Sequence, residues 1–306
     1  MKLRTKERMP KNAPAAAAQE QAAERIDSKH RAKDALENVM RALFLICGLV
    51  AVAFVLVISI YLIVSGIPAI REIGLWDFLS GTSWKPEQNI YGILPMIIGS
   101  IYVTAGAMLI GVPIGILTAL FLVHFCPPKL YRFLKPAVDL LAGIPSIVYG
   151  FFGLMVIVPA IRNGLGGSGS SMLAASIVLG IMILPTIINV SESAIRAVPE
   201  SYYEGSLALG ASHERSVFFT VLPAAKSGVF AAVILGMGRA VGETMAVIMV
   251  AGNQTAMPGS PLQGLRTLTA NIVMEMAYAA DLHRGALIAT AVVLFVFILI
   301  INLSFS

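Results

Sequence analysis

Pro199-Glu200-Ser201-Tyr202-Tyr203-Glu204-Gly205-Ser206-Leu207-Ala208-Leu209-Gly210-Ala211-Ser212 is too elaborate for a plain connector, although it lies between two long apolar stretches. Proline suits a first helical turn, early acids suit the positive end of the helix dipole, and Gly210 suits a stop. The segment therefore predicts a short helix of about three turns outside the hydrocarbon. On this pattern alone an interfacial connector helix fits as well as a dedicated lever.

Working outward, six apolar stretches flank the segment: Ala42 to Val64, Ile93 to Val123, Pro136 to Ile161, Met172 to Val190, Gly228 to Gly252 and Gly285 to Leu303. At 1.5 Å per residue even a 19-residue stretch covers roughly the hydrocarbon thickness. The expected fold is an all-α integral membrane protein with six transmembrane helices. Ten of the 22 Lys and Arg fall in the first 41 residues. Lys129, Arg132 and Lys135 sit in the 125–135 loop, and Arg196, Arg215 and Lys226 in the 191–227 loop. For six spans these segments share one side, which the positive-inside rule makes the cytoplasm, so both termini are expected there. Residues 1–41 read as a flexible cytoplasmic tail, with a partly helical stretch from Asp27 to Arg41, and residues 42–306 as the membrane domain.

Composition agrees, with 57% hydrophobic and only 13% charged residues. The net charge of +5 comes from the tail and short loops, as a topology signal does, and not from a contiguous basic stripe for nucleic acid. Cys47 and Cys126 have no pairing or metal-ligand spacing. His30, His124, His213 and His283 are scattered and form no metal constellation, and His213 with Glu214 reads as solvated loop surface. No cofactor or catalytic constellation is expected.

Arg239 and Glu243 lie near the middle of the fifth stretch, where charge is costly and needs a partner or a wet path. Four residues apart on one helix, they share a face and are expected to pair. A guanidinium offers a planar fork of donors that matches an oxyanion and stays ionised. Passage of an anion that takes Arg239 from Glu243, with Glu243 accepting a proton carried by phosphate and absent from sulfate, is the sharper reading; an ion pair that only pins helices is the blander one. Gly238 and Gly242, like Gly111 and Gly115, form small-xxx-small pairs for close helix packing. Ile144-Pro145-Ser146 interrupts the third stretch, because proline frees a carbonyl and pushes the preceding residue out of helix. Glu192 and Arg196 form a boundary pair of little weight alone, and a short helix is expected around Leu265 to Ala279 in the outer loop.

Two motifs carry a family resemblance. Glu204-Gly205-Ser206, Gly210 six residues after the glutamate and Leu222-Pro223 twelve after that glycine resemble the EAA loop of ABC importer permeases of type I. Gly205 and Ser206 stand where two alanines are usual, and Thr220 where isoleucine is usual. Arg239-Ala240-Val241-Gly242-Glu243-Thr244-Met245-Ala246-Val247 and Leu141 to Gly150 resemble the phosphate-specific permeases, and Met-Ala-Val after Gly-Glu-Thr with Ser83-Trp84-Lys85-Pro86 before Tyr91-Gly92 is closer to the PstC type. The resemblance runs from about Phe78 to the end of the fifth stretch. It implies that the 191–227 loop carries a coupling helix docking into a separate ATPase, present in two copies, through Glu204, Gly205, Ser206, Gly210, Leu222 and Pro223. It also implies a PstA-type sister permease, an external phosphate-binding protein and a pathway past Arg239, Glu243, Thr244, Ser146 and Tyr149 in a bacterial inner membrane. The chain has no G-x-x-x-x-G-K-[ST] loop, so ATP hydrolysis is expected in a partner. A permease for sulfate or molybdate is the near alternative. A secondary transporter is the distant one, disfavoured by the lack of an internal repeat.

Overall fold

The computed structural model describes the backbone of residues 13–305 and the side chains of residues 37–304. Residues 1–12 of the expected tail lie outside the described residues. Two units divide the chain, Met1–Tyr61 and Leu62–Ser306. Helix α1 covers Ala13–Ile73, and its apolar part from Glu37 to Ile73 is long enough to span a membrane.

In the second unit, α2 (Leu75–Ser80) leads into a small antiparallel hairpin of β1 (Trp84–Lys85) and β2 (Ile90–Tyr91). Asn89 turns it with φ of 54°, a conformation asparagine tolerates. Gly81 and Gly92 touch backbone to backbone, and a Cβ on Gly92 would lie 2.4 Å from the Gly81 carbonyl carbon, so only glycine fits at this crossing.

Helix α3 (Leu94–Leu120) continues through a π-turn to Phe125 and packs along α7 (Met172–Arg196), the most enclosed helix of the bundle. Gly111 and Gly115 make this approach possible: a Cβ on either would meet Ile183 or Ile187 within 2.8 Å. The expected close packing holds for this pair and not for Gly238 and Gly242, since among the described residues nothing lies within 4 Å of where a Cβ on either would be. The glycine that meets Ile187 from α11 (Lys226–Gly242) is Gly236. Two residues are a turn of about 200°, which carries Gly238 away from the packed face.

Two of the six expected spans are interrupted. Pro136 to Ile161 is not one helix. Instead α4 (Pro128–Gly143) ends, Ile144 is extended with φ −70° and ψ 127°, and a new helix starts at Ser146. That helix comprises α5 (Ser146–Phe152), a π-turn and α6 (Val158–Leu165), and only 146–165 spans. Pro145 is the cause, since it excludes the helical conformation at Ile144. Gly228 to Gly252 is likewise broken: α11 stops at Gly242, Glu243 is extended, and α12 (Met245–Val250) follows. Among the described residues five helices are long and apolar enough to cross a membrane, or six if the bent pair His213–Ala224 with Lys226–Gly242 is one span.

The two resumed helices lie side by side. A Cβ on Gly150 would come within 2.9 Å of both the Ala246 Cα and the Met249 Sδ, so α5 and α12 touch through a missing side chain. Gly150→Leu is expected to destabilise the folded protein by about 1–3 kcal/mol or more through overpacking, read as a lower melting temperature in detergent; an unchanged melt would mean that α5 and α12 are not held together. Helix α13 (Leu268–Glu275) is the expected short helix of the outer loop, and α14 (Asp281–Phe305) closes the bundle.

Candidate functional site

The predicted lever is α8, Glu200–Ala208, with Pro199 before its first turn and no residue buried. Its stop is a Schellman motif: Gly210 has φ of 86°, its N–H bonds the Leu207 carbonyl at 2.9 Å, and the Ala211 N–H bonds the Ser206 carbonyl at 3.2 Å. Leu209, at the end of the lever, is 92% exposed. The chain returns through α9 (His213–Ser216), a π-turn over Val217–Val221 and α10 (Leu222–Ala224), where Leu222 and Pro223 begin the last turn before α11. Ser206 accepts hydrogen bonds from Ser216 at 3.1 Å and Thr220 at 3.3 Å. Two of the three departures from the family pattern, Ser206 and Thr220, are thus a bonded pair that ties α8 to the returning segment. Glu204 and Gly205 face outward, and no atom lies within 4 Å of where a Gly205 Cβ would be. His213 is not solvated surface. Its Nδ1 and the Tyr203 hydroxyl are 2.7 Å apart, and its ring meets Phe125 at 4.7 Å.

The expected Arg239–Glu243 ion pair is absent among the described residues. The helix ends between them, so spacing by four no longer puts them on one face. Arg239 Nη1 donates to Thr186 Oγ1 at 3.1 Å, the one hydrogen bond its guanidinium makes among the described residues. The Glu243 carboxylate instead caps α12 by accepting from the Ala246 N–H at 3.1 Å. The freed Glu243 carbonyl accepts from Thr269 Oγ1 at 3.0 Å, which meets the demand that broken backbone at membrane depth be satisfied by protein. Thr244 turns its hydroxyl to the Gly242 carbonyl at 3.4 Å. Ser146 opens α5, and the Tyr149 hydroxyl donates to the Leu141 carbonyl at 2.7 Å, stapling across the Pro145 break. The fold therefore brings the two breaks onto adjacent helices, while Tyr149 is engaged in holding α4.

Sequence reasoning missed a second polar centre on the far side of the bundle from α8. Arg266 pairs with Glu275 Oε1, Trp84 Nε1 donates to Glu275 Oε2 at 2.9 Å, and His283 Nε2 is 2.8 Å from the same oxygen. Trp84 is buried, with 191 residues separating it from its partner, so no local spacing could signal the contact. Burial pushes the Glu275 pKa up, but hydrogen bonds from Trp84, His283 and Arg266 outweigh it and hold the group below its ordinary value. A lowered carboxylate pKa stabilises the fold above the ordinary range, and that contribution is lost as pH falls through the lowered value. Acidification below about pH 4 is expected to loosen the outer loops, seen as a change in Trp84 fluorescence, and Glu275→Gln should remove this step; a step that survives in the variant would assign it elsewhere.

No group of His, Cys, Asp and Glu among the described residues could hold a metal ion. A multi-pass bundle with a lone guanidinium beside paired helix breaks, and a capped lever helix standing clear of it, has the makings of a membrane transport permease. The chain belongs to the binding-protein-dependent transport system inner membrane component family, whose model matches residues 111–306. It is 38% identical over 290 residues to the probable ABC transporter permease protein YqgH of Bacillus subtilis, covering 91% of this chain and 94% of that one. It is 36% identical to the phosphate transport system permease protein PstC of Mesorhizobium japonicum, covering 72% and 74%. A bacterial alginate ABC transporter, solved with an alginate pentasaccharide-bound periplasmic protein, shares the fold with a TM-score of 0.60 at 16% identity, covering 88% and 94%. The inward-facing MetNI methionine transporter does so with 0.54 at 20%, covering 73% and 96%. The chain is thus the inner-membrane permease of an ABC transporter, and not itself the subunit that hydrolyses ATP.

Proposed function

We propose that this chain is a PstC-type permease that carries inorganic phosphate inward, forming half of the pathway beside a PstA-type sister, with two ATPase subunits and an external phosphate-binding protein. The observation that carries the reading is Arg239, held at one nitrogen by Thr186 with its remaining donors unbonded among the described residues, beside a helix break. The names of relatives such as the M. japonicum permease point to the same cargo. Arg239 meets the anion by exchanging the Thr186 hydroxyl for phosphate oxygens, which replaces the exchange with Glu243 expected from the sequence. Glu243, fixed by its cap on α12, offers its second oxygen as acceptor for the proton that phosphate carries and sulfate lacks. Ser146 and Thr244 flank the two breaks as further pathway residues. The lever α8 docks into the ATPase through Glu204, Gly205 and Ser206, with Gly210 stopping it and Leu222 and Pro223 at its return to α11, and its displacement drives alternating access. Charge asymmetry supports a cytoplasmic side for α8 and both termini.

Uptake competition tests the cargo. Phosphate uptake by the assembled transporter should resist excess sulfate and molybdate, and Glu243→Gln should let sulfate compete roughly tenfold better, as for one lost charge-assisted hydrogen bond. Unchanged selectivity in Glu243→Gln would remove that residue from discrimination.

A further inference from the structure

Among the described residues Glu192 is the one carboxylate buried inside a spanning helix, 4% exposed. Both of its oxygens are in use. Oε1 accepts from the Tyr131 hydroxyl at 2.8 Å and from Arg196 Nε at 3.0 Å, and Oε2 accepts from Lys135 Nζ at 3.0 Å. Lys135 also donates to Asn189 at 2.8 Å, Asn189 donates to Asp139 at 3.0 Å, and the Arg196 guanidinium lies 5.2 Å from the Tyr131 ring centre. Tyr131, Lys135 and Asp139 are all on α4; Asn189, Glu192 and Arg196 are all on α7.

Helix α4 has no buried residue, and its Phe133 and Leu140 are both 73% exposed. Its apolar groups are at most half-buried, as at Leu134, Val138 and Leu141, so the polar cluster supplies the specific hold on α7. The location of the cluster is equally specific. Glu192 sits one turn before the end of α7, and Ala197 to Pro199 are all that separate that end from α8. The far end of α4 is the Pro145 break, where Tyr149 grips Leu141, and α5 beyond it rests on α12 through Gly150, immediately after Glu243 and Thr244.

We infer that Glu192 is a positioning residue that clamps α4 to the root of the lever, so that displacement of α8 reaches the paired breaks through α4. The inference rests on the reading of α8 as the ATPase-coupling helix. Buried ion pairs stabilise no better than well-packed apolar residues, so stability alone gives little reason for this cluster. A clamp needs polar geometry, because it must hold two helices in one register without a core between them. Glutamine at 192 keeps the volume and an acceptor for Tyr131, and Lys135 is already partly solvated, so the fold tolerates the change while the clamp loses its charge.

The experiment is the ratio of phosphate transported to ATP hydrolysed by the full complex in proteoliposomes. Glu192→Gln and Lys135→Met are each expected to lower the ratio about tenfold while hydrolysis continues, and Glu192→Asp to recover part of it. An unchanged ratio in Glu192→Gln and Lys135→Met, or transport and hydrolysis falling in step in both, overturns the clamp; should Glu192→Gln not assemble, Lys135→Met decides. Failure of the lever reading is separate, and shows as an ATPase that stays bound when α8 itself is blocked.

Discussion

Arg239→Met is expected to abolish phosphate uptake, by a factor on the order of a hundred to ten thousand, without harm to the fold. The factor follows from two charge-assisted hydrogen bonds to an anion at about 1.5–3 kcal/mol each. The sign of the stability change separates this reading from a purely structural one. Removing a charge from membrane depth saves about 2.5–3.5 kcal/mol of insertion cost, whereas the Thr186 bond lost with it is a single hydrogen bond to a neutral hydroxyl. Methionine matches the length and apolar stem, so the melting temperature should hold or rise while transport disappears. Arg239→Lys should recover only part of the rate, since an ammonium keeps the charge and loses the fork. Transport at normal rate in Arg239→Met would take the guanidinium out of the pathway, and transport lost together with the fold would make it a structural residue.

The second large effect belongs to Gly205→Trp. Among the described residues nothing stands within 4 Å of a Cβ at that position, so the variant should fold and insert as the parent does. What it removes is close approach to the lever from outside. Leu209 is 92% exposed at the tip, and Tyr202 and Leu207 also lie open on the same short helix. An open glycine flanked by exposed apolar groups on a rigid, capped helix fits the groove-bound mode of helix recognition. A bulky ring there is expected to weaken ATPase capture about a hundredfold, the scale of one interface hot spot, measured by copurification at fixed detergent and salt. Full capture by the variant would show that the ATPase does not approach this face.

How much of this was legible follows from the range of each signal. Pro199, Gly210 and the residues between them specify α8 locally, and the capping geometry forms as those residue types dictate. The six apolar stretches are read from composition for the same reason. Helix continuity was not legible at Glu243, because no proline or glycine-proline pair marks the break there; Thr269, on α13, satisfies the opened carbonyl from 26 residues away. With continuity went the Arg239–Glu243 pair, which depended on a helical spacing of four. At Pro145 the cause was visible, but how far the break would extend was not, because proline in a spanning helix is compatible with both a kink and a full stop. Glu192 looked like half of a boundary pair with Arg196, since Tyr131 and Lys135 approach from 61 and 57 residues away. The Glu275 centre was beyond local reading altogether, because Trp84 and Arg266 converge on it only in the folded bundle.

The most direct measurement of the central claim is labelled phosphate uptake into proteoliposomes holding the complete transporter, with its external binding protein present and ATP supplied or withheld on the cytoplasmic side. The account predicts uptake that requires ATP, is indifferent to a proton or sodium gradient and is not displaced by sulfate. Uptake that persists on an ion gradient without ATP, or that sulfate displaces as readily as phosphate does, would contradict it.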